Sequence, residues 1–111
     1  GAIAFSQACW FTDARSDRAQ AYWAREYPQM TDEAGLSVQI AAAGYEIIGQ
    51  RRLSDAAWQA YFDPIAKRSD ALRAQADVGL LNVLDEAEEE AACWYAHRHE
   101  YGYVLSVVRP L

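Results

Sequence analysis

Runs of apolar residues predict three β-strands, at the start, in the middle and at the end of the chain. They cover residues 2–6, 45–53 and 103–108. The second and third strands open close to a Gly-Tyr pair and are rich in β-branched residues, which suit a pleated, half-buried surface. The first strand has no element before it, and a domain rarely opens on a buried strand without a flanking element. The pattern therefore predicts the second half of a larger domain.

Apolar residues at helical spacing predict about five helices between these strands. They are expected over residues 17–26 and 31–44, from residue 54 to the Asp63-Pro64 pair, from that pair to residue 74, and over residues 77–100. Thr31 is the expected N-cap of the second helix, and Gly44 is its expected left-handed end. Pro64 is expected to begin a new helix, because proline suits the first helical position.

Composition and charge narrow the possible functions. Apolar residues make up 52% of the 111 residues, which is enough for a single domain with one core over residues 1–111. The net charge of −6 argues against a nucleic-acid partner, since phosphate binding needs a basic surface. No apolar run reaches the ~18 residues that cross a bilayer, and no signal peptide is evident. We therefore expect a cytoplasmic protein with no membrane partner.

Motifs of the known catalytic classes are absent, so catalytic residues stay unassigned. The acidic run at residues 85–90 is interpreted as a solvated helix face, because it lacks the spacing of metal ligands. His97 and His99 diverge on a helix at positions i and i+2, so no metal site is predicted. Cys9 and Cys93 are expected to be buried free thiols.

Aromatic residues follow the first two strands and are the candidates for a binding site. Trp10, Trp23 and Tyr27 come after the first strand, and Trp58 and Tyr61 come after the second. In open α/β sheets, ligands lie beyond the carboxyl ends of the strands. Two interpretations stay open: these are ordinary core residues, or they form the wall of a pocket for a small organic substrate.

Several short stretches, in a fixed order, carry a family resemblance. They are Phe5-Ser6-Gln7-Ala8-Cys9-Trp10-Phe11, Tyr22-Trp23, Glu26-Tyr27-Pro28-Gln29-Met30, Ala43-Gly44-Tyr45, Leu53 with Trp58, Tyr61-Phe62-Asp63-Pro64, and Tyr101-Gly102-Tyr103. Their order and spacing resemble the C-terminal portion of bacterial S-adenosylmethionine-dependent methyltransferases with the Rossmann-like, class I fold. The resemblance covers nearly the whole chain.

The resemblance implies a partial α/β fold, the C-terminal half of a Rossmann-like methyltransferase sheet. The three strands would be the fifth, sixth and seventh of that sheet, with the last one antiparallel and placed between the other two. The family's glycine-rich S-adenosylmethionine loop and acidic residue lie earlier, so no cofactor-binding residue is assigned here. The cofactor is expected only in the parent protein. Gln7 stands where relatives often carry an acidic residue.

The leading hypothesis is the substrate-side segment of a small-molecule methyltransferase that is inactive alone. Trp10, Trp23, Tyr27, Trp58 and Tyr61 would bind the methyl acceptor. The open edge of the first strand predicts a partner, either the missing N-terminal half or a second copy in a homodimer. The alternative hypothesis is a non-enzymatic α+β module that binds a ligand or forms an interaction dimer.

Overall fold

The computed structural model describes residues 1–111 as three strands and four helices. In chain order these are β1 (Ile3–Trp10), α1 (Asp17–Glu26), α2 (Glu33–Ala42), β2 (Tyr45–Arg52), α3 (Asp55–Arg73), α4 (Val78–His97) and β3 (Tyr101–Pro110). Two compact units result, one from residues 1–53 with 97–111, the other from residues 54–96. That residues 1–111 form a single domain stays a prediction.

The three strands form one antiparallel sheet in the order β1-β3-β2, as predicted. Along β1, the pairing runs to the very end of the strand, where Trp10 lies opposite Tyr101. Along β2, Arg52 lies opposite Val104, and a register shift falls between Ile47 and Gly49. Since both outer strands are antiparallel to β3, β1 and β2 are parallel to each other.

One face of the sheet is covered by α2, and the core of the first unit lies between them. Its buried residues are Cys9, Leu36, Ile40, Val104 and Val108. Leu36 and Ile40 lie one helical turn apart, so both reach the sheet from the same side of α2. Both cysteines, Cys9 and Cys93, are buried and free, as expected. Burial, reinforced by nearby acidic groups, raises the pKa of Cys9 to about 11, which keeps the thiol protonated and unreactive.

The start of α2 corrects the predicted N-cap. Asp32, rather than Thr31, caps the helix, because its side chain accepts a hydrogen bond from Gly35 N at 2.7 Å. The carbonyl of Thr31 instead accepts from Trp10 N at 2.9 Å, so this residue is held beside the end of β1. The end of α2 agrees with the prediction, since Gly44 has a φ of 90°.

The third helix corrects the predicted break at Asp63-Pro64. It runs without interruption through Pro64. An interior proline removes one helical hydrogen bond and costs about 3 kcal/mol. Phe62 before the proline and Ser69 after it are both buried and lie two turns apart on one side, so continuous packing along that side offsets the cost. The chain therefore has four helices rather than about five.

The fourth helix ends earlier than predicted, at His97 instead of residue 100. Within the helical unit, Arg73 of α3 binds Asp85 and Glu88 of α4 at 2.9 and 2.6 Å. Both carboxylates stay mostly exposed, which agrees with the interpretation of the acidic run as a solvated face. None of the four helices combines the length and the apolar character needed to cross a membrane.

Replacing Gly44 with alanine should lower the free energy of unfolding by about 1 kcal/mol, because a Cβ is costly at positive φ. Gly49 is the matched control: an added Cβ meets nothing within 4 Å at either position, but only Gly44 has a positive φ. Gly49→Ala should change stability by less than about 0.5 kcal/mol. Urea denaturation measures both variants, and equal losses would contradict the conformational explanation.

Candidate functional site

The edge of the sheet where β1 and β2 end gathers side chains suited to binding. Because β3 runs antiparallel to both, its first residue lies at the same edge as the last residues of β1 and β2. We call this the carboxyl edge, and it comprises Trp10, Phe11, Arg52 and Tyr101. Ligands of open α/β sheets bind at such an edge.

Two of the predicted site residues, Trp10 and Trp23, meet at the carboxyl edge through Tyr101. The ring centroids of Trp10 and Tyr101 are 6.0 Å apart, those of Trp23 and Tyr101 are 5.2 Å apart, and both pairs are edge-to-face. This geometry is favoured by the ring quadrupoles. The three residues are only 6%, 8% and 1% exposed, in the order Trp10, Trp23, Tyr101. The sequence indicated Tyr101 only as the opening of a strand, so its place between two tryptophans was missed.

The helix α1 brings Trp23 to this edge and leaves one polar atom without a partner. Ser16 caps α1 by accepting a hydrogen bond from Ala19 N at 3.1 Å, and Tyr27 ends it before Pro28. The indole Nε1 of Trp23 is buried and has no hydrogen-bond partner. An unpaired buried donor costs about 1–3 kcal/mol. A ligand or water that offers an acceptor atom would remove this cost.

Two arginines stack on aromatic rings at the carboxyl edge. The guanidinium of Arg15 lies 4.5 Å from the centroid of Trp10, and that of Arg52 lies 3.9 Å from the centroid of Phe11. Arg52 also donates two hydrogen bonds to the Glu33 carboxylate, at 2.5 and 3.2 Å, and these bonds raise the pKa of Arg52. Each arginine also lies beside a carboxylate, Arg52 bonded to Glu33 and Arg15 3.8 Å from Asp13, so the positive charge of this edge is paired.

Tyr27, the third predicted site residue of this unit, has a different partner. Its hydroxyl accepts a hydrogen bond from Gln7 Nε2 at 2.9 Å. Gln7 lies opposite Val104 and thus on the sheet face that α2 covers, whereas Trp10 alternates to the other face. The structure brings Trp10 and Trp23 together but gives Tyr27 a separate anchor. Gln7, at a position where the family resemblance implied an acidic residue, donates this hydrogen bond.

The remaining predicted site residues, Trp58 and Tyr61, lie together in the helical unit. Trp58 stacks on Phe62 and on Trp94, with centroids 5.6 and 5.2 Å apart, and is buried. Tyr61 contacts Phe62 at 5.2 Å but is 56% exposed. Trp58 thus serves the packing of its own unit, while Tyr61 keeps a free surface for a ligand. The role of both residues in binding stays a prediction.

A carboxylate network next to Tyr101 was not foreseen from the sequence. Glu100 Oε1 accepts a hydrogen bond from Ser16 N at 2.5 Å, and Glu100 Oε2 lies 2.8 Å from His97 Nδ1. Burial opposes ionisation of this carboxyl, but the hydrogen bonds from Ser16 and the interaction with His97 outweigh it and lower the pKa of Glu100. Ser16 and Glu100 are 84 residues apart in the sequence, so only the i, i+3 spacing of His97 and Glu100 was a usable signal.

Solved structures of methyltransferases share the fold of this chain. One is a SAM-dependent methyltransferase from Geobacter sulfurreducens in complex with S-adenosyl-L-homocysteine, with a TM-score of 0.70, 15% identity and coverage of 100% of this chain and 46% of that one. A SAM-dependent methyltransferase from Thiobacillus denitrificans, also in complex with S-adenosyl-L-homocysteine, has a TM-score of 0.70 and 14% identity, and the match covers 100% of this chain and 46% of that one. The structure of YjhP from E. coli has a TM-score of 0.67 and 17% identity, and the match covers 100% of this chain and 50% of that one.

These likenesses establish the fold of the chain. No family model matches it, and neither does a curated protein. The chain spans about half the length of the solved structures it matches. It therefore has the mixed α/β fold of part of a Rossmann-like methyltransferase, as the resemblance implied, and the shares covered are consistent with a C-terminal portion.

The residues at the carboxyl edge do not fit S-adenosylmethionine as a complete site. A dinucleotide or adenosyl group is held in such folds by backbone donors of a glycine-rich turn after a strand. Here β1 leads into Phe11 and β2 into Leu53, with no glycine in either turn. Gly44, the one residue with positive φ, ends α2 and precedes a strand.

Acid should weaken the fold through Glu100. Because the folded pKa is lowered, the ionised carboxylate stabilises the fold fully above its unfolded pKa of about 4.3, and this contribution disappears as the pH falls through the folded value. Urea midpoints measured across that range should fall more steeply in the wild type than in Glu100→Gln. Glu86→Gln, at an exposed position of α4, controls for the loss of one charge. Parallel curves for wild type and Glu100→Gln would contradict the assignment.

Proposed function

We propose that this chain is the substrate-side segment of a SAM-dependent small-molecule methyltransferase and that it is inactive alone. One observation carries the proposal: the entire chain matches less than half of two methyltransferases whose structures hold S-adenosyl-L-homocysteine. No glycine turn follows β1 or β2, which supports the proposal that the other half of the domain binds the cofactor. We place the protein in the cytoplasm in the same proposal.

The methyl acceptor is proposed to bind at the aromatic residues. The proposed acceptor-binding residues are Trp10, Trp23 and Tyr27 in the first unit and Trp58 and Tyr61 in the helical unit. The unpaired Nε1 of Trp23 supports this, because a buried donor gains most from a ligand that supplies an acceptor. S-adenosylmethionine, when bound, supplies the activated methyl group. The chain itself contributes orientation and removal of water from the acceptor.

A partner is proposed at the outer edge of β1, opposite the edge that pairs with β3; on this outer edge the N–H of Trp10 already donates to Thr31 O. This strand of eight residues carries neither charge nor proline, the usual protections of an edge. A groove of about 570 Å³ crosses the three strands next to it, lined by residues 4–6, 49–51 and 105–107. Ile3 and Val107 are exposed nearby. We commit to the cofactor-binding half of the same domain as the occupant, adding a strand to β1.

When only the 111 residues are present, a second copy should occupy this edge. Light scattering should report at least a dimer rather than the 12.4 kDa monomer. Ala4→Lys places a charge on the edge strand and should weaken self-association, because a buried unpaired charge is costly. Val38→Lys, at a position of α2 that is 69% exposed, is the control and should have no effect. A monomeric wild type, or equal effects of both lysines, would overturn the assignment of this edge.

Calorimetry can test whether the cofactor is bound by the other half of the domain and not by these 111 residues. The 111-residue chain should show no measurable binding of S-adenosylmethionine, because the backbone donors of a glycine-rich loop are not among its strand ends. A longer form, in which the coding sequence upstream of Gly1 supplies a strand and such a loop, should bind in the micromolar range. Micromolar binding by the 111 residues alone would contradict the proposal. An upstream sequence without strand and loop would favour the non-enzymatic binding module.

A further inference from the structure

The pair formed by His97 and Glu100 has the geometry of an oriented base. His97 Nδ1 and Glu100 Oε2 are 2.8 Å apart, and the side chains are only 21% and 16% exposed. A carboxylate accepts hydrogen bonds but donates none when ionised, so the proton between them belongs to Nδ1. In a neutral imidazole, the other nitrogen, Nε2, then carries the lone pair.

The carboxylate is itself held by a second element. Its other oxygen, Oε1, accepts a hydrogen bond from Ser16 N at 2.5 Å. Two backbone hydrogen bonds also hold Glu100: its N–H donates to His97 O at 2.9 Å, and its carbonyl accepts from Phe11 N at 2.8 Å. The last bond joins the pair to the end of β1. A base whose orientation is fixed by a third group is the arrangement that proton-transferring sites share.

The position of the pair links it to the candidate site. Glu100 directly precedes Tyr101, whose ring lies between Trp10 and Trp23. His97, Glu100 and this aromatic cluster all belong to the same unit.

We propose that His97 is the general base that deprotonates the methyl acceptor and that Glu100 is its positioning residue. The inference rests on the proposed function. An acceptor X–H, with X an oxygen or sulfur atom, gives its proton to Nε2, and the X–H electron pair stays on X. That pair would form the new X–CH₃ bond as the methyl group leaves the sulfonium sulfur of the donor, which keeps the electrons of the broken S–CH₃ bond. The imidazolium that forms is stabilised by the Glu100 carboxylate, and its proton passes to solvent afterwards. Bases of this kind contribute about 10²–10⁴-fold to a rate.

Nitrogen-15 NMR of the imidazole rings tests the tautomer on the 111-residue chain itself. The chain has two histidines, so His99 is an internal reference. In spectra taken where the ring is neutral, His97 should carry its proton on Nδ1 and none on Nε2. Glu100→Ala should shift His97 toward the tautomer mixture of His99. Glu100→Gln keeps an acceptor oxygen and should preserve the Nδ1–H form.

Two outcomes of that experiment overturn the proposal: a proton on Nε2 of wild-type His97, or a tautomer that Glu100→Ala leaves unchanged. A proton on Nε2 would mean that His97 is an imidazolium in a purely structural ion pair with Glu100. Since the measurement needs no cofactor, it remains decisive even where the methyltransferase function fails.

Activity of the longer, cofactor-binding form supplies the second readout, with phenol and ethanethiol as probe acceptors, because both keep their X–H proton near neutral pH. His97→Gln should lower kcat by about 10²–10⁴-fold with little change in KM. His99→Gln should retain wild-type kcat. A kcat that His97→Gln leaves intact overturns the base role, whereas no turnover of any probe by the wild type, together with no binding of S-adenosylmethionine, overturns the proposed function instead.

Discussion

The pairing of β3 with both other strands is the constraint on which the rest of the first unit depends. Its central position satisfies backbone groups on both edges of β3 and buries Val104 and Val108 under α2. The same ladder fixes where β1 and β2 end, because Trp10 and Arg52 are in register with residues near the start of β3. A one-residue slip would turn every side chain of a strand to the other face and dissolve the carboxyl edge.

The turn before β3 converts this pairing into a candidate site. Glu100 ties the end of α4 to the start of α1 through His97 and Ser16, and it leads directly into Tyr101. The strand thus carries a packed aromatic residue and an ionised carboxylate side by side at one edge. Apolar packing positions the rings, while hydrogen bonds position the charged groups. The proposed acceptor site and the proposed base role of His97 both rest on this combination.

The sheet has two outer strands, and β1, one of them, carries no charged residue. The carboxyl edge holds aromatic rings and the guanidinium of Arg52, and no glycine turn follows β1 or β2. The fold is shared with part of two longer SAM-dependent methyltransferases. In the proposed function, a strand that the cofactor-binding half adds to β1 would complete the sheet and bring in the cofactor site in one association.

The sequence by itself determined that there are three strands, their order through the family resemblance, most helix positions and the left-handed Gly44, because these follow from local periodicity, capping and a recognisable order of short motifs. It ended the first strand too early, at residue 6, whereas β1 continues to Trp10, which therefore lies within the strand and not after it. It failed at Asp63-Pro64, where continuous packing overrides the preference of proline for a helix start. Only the tertiary structure decided that Trp10 and Trp23 share Tyr101 as a neighbour and that Glu100 joins Ser16 to His97. Such contacts join residues far apart in the chain, and no local pattern encodes a distance between them.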